Sequence, residues 1–151
     1  MRNALSLIEF LFVIVLIGML SGIGFYLSQP DYARQDAHYA LLKLKEARYR
    51  AIAYQSPNDS GIEEGCVTLT KEALSDNEAP THEIKSDSIT TTPNSITTVC
   101  FDNLGRPHDG NSTQLDTLID TKVDIVFKYT SNSDKNTTIL LFQQSGYVII
   151  F

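Results

Sequence analysis

The stretch LSLIEFLFVIVLIGMLSGIGFYL, Leu5–Leu27, contains one charged side chain, Glu9. From Phe10 to Leu27 the residues are uncharged and mostly apolar, a run long enough to enter a bilayer core as a helix. An ionised carboxylate at the threshold of such a helix is costly and usually has a function. The sequence therefore predicts a membrane-embedded helix over residues 5–29 whose acid is there for a reason.

A cleaved secretory signal is the first alternative. Arg2 is the only basic residue before the run, the apolar segment exceeds the usual 7–15 residues, and no small-x-small cleavage site closes it. A retained anchor fits better. With Arg2 on its near side, the positive-inside rule keeps the N-terminus in the cytoplasm and places the rest of the chain outside.

Beyond the anchor the helical pattern continues in another style. Ala33, Ala37, Ala40, Leu41, Leu44, Ala47 and Ala51 recur at three- and four-residue spacings and make an apolar stripe. Arg34, Asp36, Lys43, Lys45, Arg48 and Arg50 are assigned to the opposite side. Pro30 should bend or open the helix locally. The pattern stops at Pro57, Asn58 and Gly61. A helix from Leu5 to Gln55 would be about 76 Å long at 1.5 Å per residue.

After Gly61 the chain changes to short runs rich in β-branched and aromatic residues: 66–71, 95–101, 122–129, 137–143 and 146–151. The last three are joined by turn-forming SNSDKN and QSG, which predicts an antiparallel meander. Residues 72–94 read as a long loop, with a short strand around Glu83–Lys85. The expected fold is thus α+β: a long N-terminal helix, half of it in the membrane, packed on a small antiparallel β-sheet head at 57–151.

Charge narrows the function. Residues 1–55 hold six basic and four acidic side chains, giving +2, while residues 56–151 hold six and fourteen, giving −8. Nucleic-acid affinity depends on cations that neutralise phosphates, so an acidic head is not expected to bind it directly. His38, His82 and His108 form no local catalytic motif, and there is no nucleophile elbow or phosphate loop. No catalytic residue, cofactor or enzymatic activity is assigned. His108 beside Asp102 and Asp109 invites a metal reading, but a polar turn accounts for it. Asp116, Asp120 and Asp124 lack the alternating pattern of a calcium loop. No metal is expected.

Cys66 and Cys100 are the only cysteines. Two distant cysteines do not make a zinc signature, and a CxxC motif is absent. With the head in an oxidising compartment, a structural disulfide is expected, two buried thiols being the alternative.

The stretch MRNALSLIEFLFVIVLIGML resembles the N-terminal signature of type IV prepilins and pseudopilins. The resemblance implies a leader, MRNA (1–4), cut between Ala4 and Leu5 by a prepilin peptidase that also N-methylates Leu5. It further implies that Glu9 pairs with the N-terminal amine of a neighbouring subunit and sets the register of a helical filament. Gly18 matches a glycine position in the family's apolar helix. Ala4, Leu5 and Ser6 stand where Gly, Phe and Thr are usual.

In the head, CFDNLGRP and ILLFQQSGYVIIF resemble the ends of H-type minor pseudopilins and related minor pilins. That implies a subunit of a type II secretion, type IV pilus or transformation machine. It would sit in a bacterial inner membrane with a periplasmic head, and its partners would be other pilin subunits, the peptidase and an assembly platform. A signal-anchored periplasmic binding module that never assembles is the competing reading. DGNST and DKNTT also resemble the extended acceptor sequon of bacterial N-glycosylation, with Asn111 and Asn136 as acceptors on exposed turns.

Overall fold

The computed structural model describes residues 7–27, 30–53, 65–75, 82–93, 95–110, 115–130 and 135–151, with side chains in the first helix described as far as Gly22. The chain divides into two units, Met1–Asp31 and Tyr32–Phe151.

The first unit is helix α1, Leu7–Leu27. Its 21 residues give a rod of about 32 Å at 1.5 Å per residue. Leu7, Ile8, Phe10, Phe12, Met19 and Leu20 are all exposed, and apolar residues occur on every side of the rod. Among the described residues, no helix is long and apolar enough to cross a membrane.

The second helix, α2, spans Tyr32–Ala53, and Pro30, where a bend or an opening is expected, lies between α1 and α2 in the sequence. The proline ring removes a backbone donor and clashes with a helix continuing through it. Asp31 then precedes α2, a residue type favoured at helix starts.

The second unit is built around α2. Ala33, Ala37, Ala40, Leu41, Leu44 and Ala47 are buried, so the predicted stripe is the face that packs. It lies against β5 (Val123–Tyr129), β6 (Lys135–Leu141) and β7 (Val148–Ile150). These three strands form the expected antiparallel meander, and β2 (Ser88–Thr92) adds to its edge in the order β2-β5-β6-β7. Val123, Ile125 and Phe127 of β5 are buried at every second position, as are Thr137, Ile139 and Leu141 of β6. Full burial of side chains such as Phe127 or Ile139 stabilises the head by about 1.5–3 kcal/mol each.

A second antiparallel sheet contains β1 (Cys66–Thr68), β3 (Thr98–Phe101) and β4 (Pro107–Asp109) in the order β1-β3-β4. Helix α2 also contacts β1 and β3, so both sheets pack on it.

The segment 72–94 differs from the expected loop. A one-turn helix, α3 (Lys71–Leu74), begins it, with Thr70 Oγ1 accepting from the Ala73 amide. The strand lies at Ser88–Thr92, not at Glu83–Lys85. Residues 83–85 form no strand because the amides of Lys85 and Ser86 are directed to the carboxylate of Asp36 instead of a neighbouring strand.

Candidate functional site

Glu9 lies in the first turn of α1, exposed, beside the apolar side chains of Ile8, Phe12 and Val13. A carboxylate there is favoured by the helix dipole. Ala4 and Leu5, the expected cleavage and methylation positions, lie outside the described residues.

Cys66 and Cys100 form a disulfide, and they are directly paired in the β1–β3 register. It ties the edge strand β1 to the buried strand β3.

Asp36 was expected on the polar face of α2, and the structure corrects this. The residue is buried, and its Oδ2 accepts from the Ser86 amide at 2.6 Å, the Ser86 hydroxyl at 2.7 Å and the Lys85 amide at 2.9 Å. Its Oδ1 lies 3.1 Å from His82 Nε2, and the His82 ring stacks on Tyr39. The spacing contained this signal: Asp36 falls three residues after Ala33 and four before Ala40, on the stripe itself.

His108 is likewise not in a polar turn. It is buried in β4 opposite Cys100, with Nδ1 3.0 Å from Thr117 Oγ1 and Nε2 3.6 Å from Asp102 Oδ2. Among the described residues, no group of acids, histidines or cysteines is placed to hold a metal ion.

Two tight turns meet near the C-terminal part of α2. In the β3–β4 turn, Asp102 Oδ1 accepts from the Leu104 and Arg106 amides at 3.0 and 2.7 Å, and Oδ2 accepts from Arg106 Nε at 2.7 Å. Burial pushes the Asp102 carboxyl upward. The amide and guanidinium of Arg106, with the Leu104 amide, outweigh that and hold it below the ordinary value. In the β6–β7 turn, the Gly146 amide donates to Phe142 O and the Phe142 amide to Tyr147 O, both at 2.9 Å. Gly105 and Gly146 have φ of 77° and 59°, the left-handed region where glycine is favoured.

Arg48 joins the two turns, its Nε donating to Ser145 O at 3.0 Å and to Gly105 O at 3.4 Å. Around this junction Leu104 and Tyr147 remain 67% and 55% exposed. The sequence places Arg48 on the polar side of α2 and assigns it no partner. Only the convergence of two turns distant in sequence reveals the Arg48 contacts.

Asn136 is exposed but stands in β6 opposite Lys128, not in a turn, because the strand begins at Lys135. Asn111 lies outside the described residues. Comparison of the chain with protein-family models, curated proteins and solved structures returns no match.

Proposed function

We propose that the chain is a minor pseudopilin or pilin subunit, a non-enzymatic component that assembles through α1 into a secretion, pilus or DNA-uptake filament. One observation carries this reading. Helix α1 forms its own unit, exposes apolar side chains along its described length, and places one carboxylate, Glu9, in its first turn. A helix apolar all round needs an apolar environment, either lipid or other helices. A filament subunit uses both in turn: the helix waits in the membrane, then exchanges lipid for neighbouring helices. The α+β head, with α2 laid over antiparallel sheets, is compatible with that use.

In such a bundle, Glu9 pairs with the amine of a neighbour's Leu5, exposed by cleavage after Ala4. A buried ion pair contributes little net stability but discriminates between registers, because a slipped helix leaves the carboxylate uncompensated. The test is N-terminal sequencing of the mature protein together with the Glu9→Ala variant. Expected are a methylated Leu5 and a variant that is membrane-inserted but missing from sheared filaments. An intact Met1 beside an active prepilin peptidase would instead favour the anchored periplasmic module, and normal assembly of Glu9→Ala would remove the register role.

A further inference from the structure

At about 100° per residue, the buried side chains of α2 fill one arc of the helix, from Asp36 round to Leu41. Diametrically opposite runs a ridge of Gln35, His38, Leu42, Glu46, Tyr49 and Ala53, all exposed. Leu42 and Tyr49 are its large apolar members, 64% and 67% exposed. Cations border the ridge on both sides, Arg34 and Lys45 along one flank and Lys43 and Arg50 along the other. Within α2 the only acid outside the buried arc is Glu46, which pairs with Arg50 at 2.6 Å. Residues 56–151 carry a net −8, so the positive charge beyond α1 gathers on this helix.

An apolar ridge bordered by cations suits a helix lying in a lipid–water interface. The ridge enters the boundary between headgroups and acyl chains, while long basic side chains reach back to anionic headgroups. Each Lys or Arg near an anionic leaflet adds to the attraction. The opposite arc of α2 is already occupied, because it packs on the sheets. Only residues 28–31 separate α1 from α2 in the sequence. A chain held in a membrane by α1 therefore presents α2 to that surface at high local concentration. Charge sign and tether both select lipid as the occupant.

We propose that, before assembly, the head docks on the anionic surface of the membrane through the Leu42–Tyr49 ridge of α2. This rests on α1 being lipid-embedded in the waiting state, and it gives the head a resting place from which assembly must lift it. Tyr49 is the anchor, its ring at the apolar boundary and its hydroxyl among the headgroups.

The chain contains no tryptophan, so Tyr49→Trp places a single indole reporter on the ridge. The full-length variant is reconstituted into vesicles of phosphatidylglycerol or phosphatidylcholine, each carrying brominated acyl chains that quench an indole on contact. Expected is strong quenching in phosphatidylglycerol and about fivefold less in phosphatidylcholine. An indole introduced by Lys128→Trp, at an exposed position of β5, should not be quenched in either. Adding Arg34→Glu with Lys45→Glu to the ridge reporter should reduce docking about tenfold or more. Raised salt should weaken quenching without those two changes, which keeps the test decisive if the charge-reversed chain folds poorly. An indole at position 49 that is quenched equally in both lipids, or no more than one at position 128, overturns the proposal. Burial of position 49 only in assembled filaments assigns the ridge to a neighbouring subunit and does the same. Chains that float with vesicles while position 49 stays in water refute the docking and leave the membrane use of α1 standing. Chains that never float with vesicles refute the embedded helix, and the docking with it.

Discussion

Asp36 and Ser86, fifty residues apart, are joined twice: one carboxylate oxygen accepts from both the amide and the hydroxyl of the serine. With Lys85 and His82 on the same carboxylate, this contact clamps residues 82–86 onto α2. The acid is buried yet well supplied with donors, the arrangement that makes a buried charge tolerable.

Removing it should therefore be expensive. Asp36→Ala leaves two amides and a hydroxyl without their acceptor and should destabilise the head by about 3–5 kcal/mol. Thermal unfolding should show Tm lower by roughly 10 °C or more. Ser86→Ala, which loses the hydroxyl donor alone, should cost about 1–2 kcal/mol. Equal effects from the two variants would mean that the carboxylate is not the hub.

The disulfide closes a loop with a sequence separation of 34. In the loop-entropy model such a crosslink stabilises the fold by about 3–4 kcal/mol. Cys66→Ser with Cys100→Ser should lower the denaturation midpoint accordingly, and reductant should reproduce the shift in the native chain. Two alkylatable thiols in unreduced protein would contradict the bridge.

Acid should weaken the head through two carboxylates. The hydroxyl and amide of Thr130 hold Asp87 below its ordinary value, and Arg106 does the same for Asp102 against the upward push of burial. A depressed folded-state value means that the stabilisation is present above the unfolded pKa, about 3.9, and lost as pH falls through the folded value. Stability should thus fall below about pH 4, and Asp102→Asn should flatten part of that fall. An unchanged acid limb in Asp102→Asn would show that this turn does not contribute.

Gly146 should tolerate no side chain. A Cβ there would run into the Gly105 carbonyl oxygen and lie 3.0 Å from the Phe101 ring, on a backbone with φ of 59°. Gly146→Ala should cost about 2 kcal/mol or more through strain and the displaced turn. Gly110→Ala has a similar φ but meets nothing within 4 Å, and it should be milder.

The alanine–leucine stripe of α2 and the β5–β6–β7 meander were legible because each has a clean period, 3.6 or 2, over many residues. Strand β2 was not legible: four of the five residues in SITTT carry hydroxyls, and its pairing with β5 supplies what its composition does not. Strand β4 is only Pro107–Asp109, and its residue types read as a turn until Cys100 pairs with His108. Asp36 was misplaced because its charge was weighed above its spacing. For the candidate site, Glu9 was conspicuous against an apolar background. The Arg48 junction was hidden, since it joins segments distant in sequence.

Arg48 reaches one carbonyl 57 residues ahead and another 97 residues ahead. Each contact forms only once its own hairpin has closed and docked on α2, so the pair together requires both. The junction of the two turns is therefore a property of the finished head alone, and one guanidinium reports that both hairpins have reached their places.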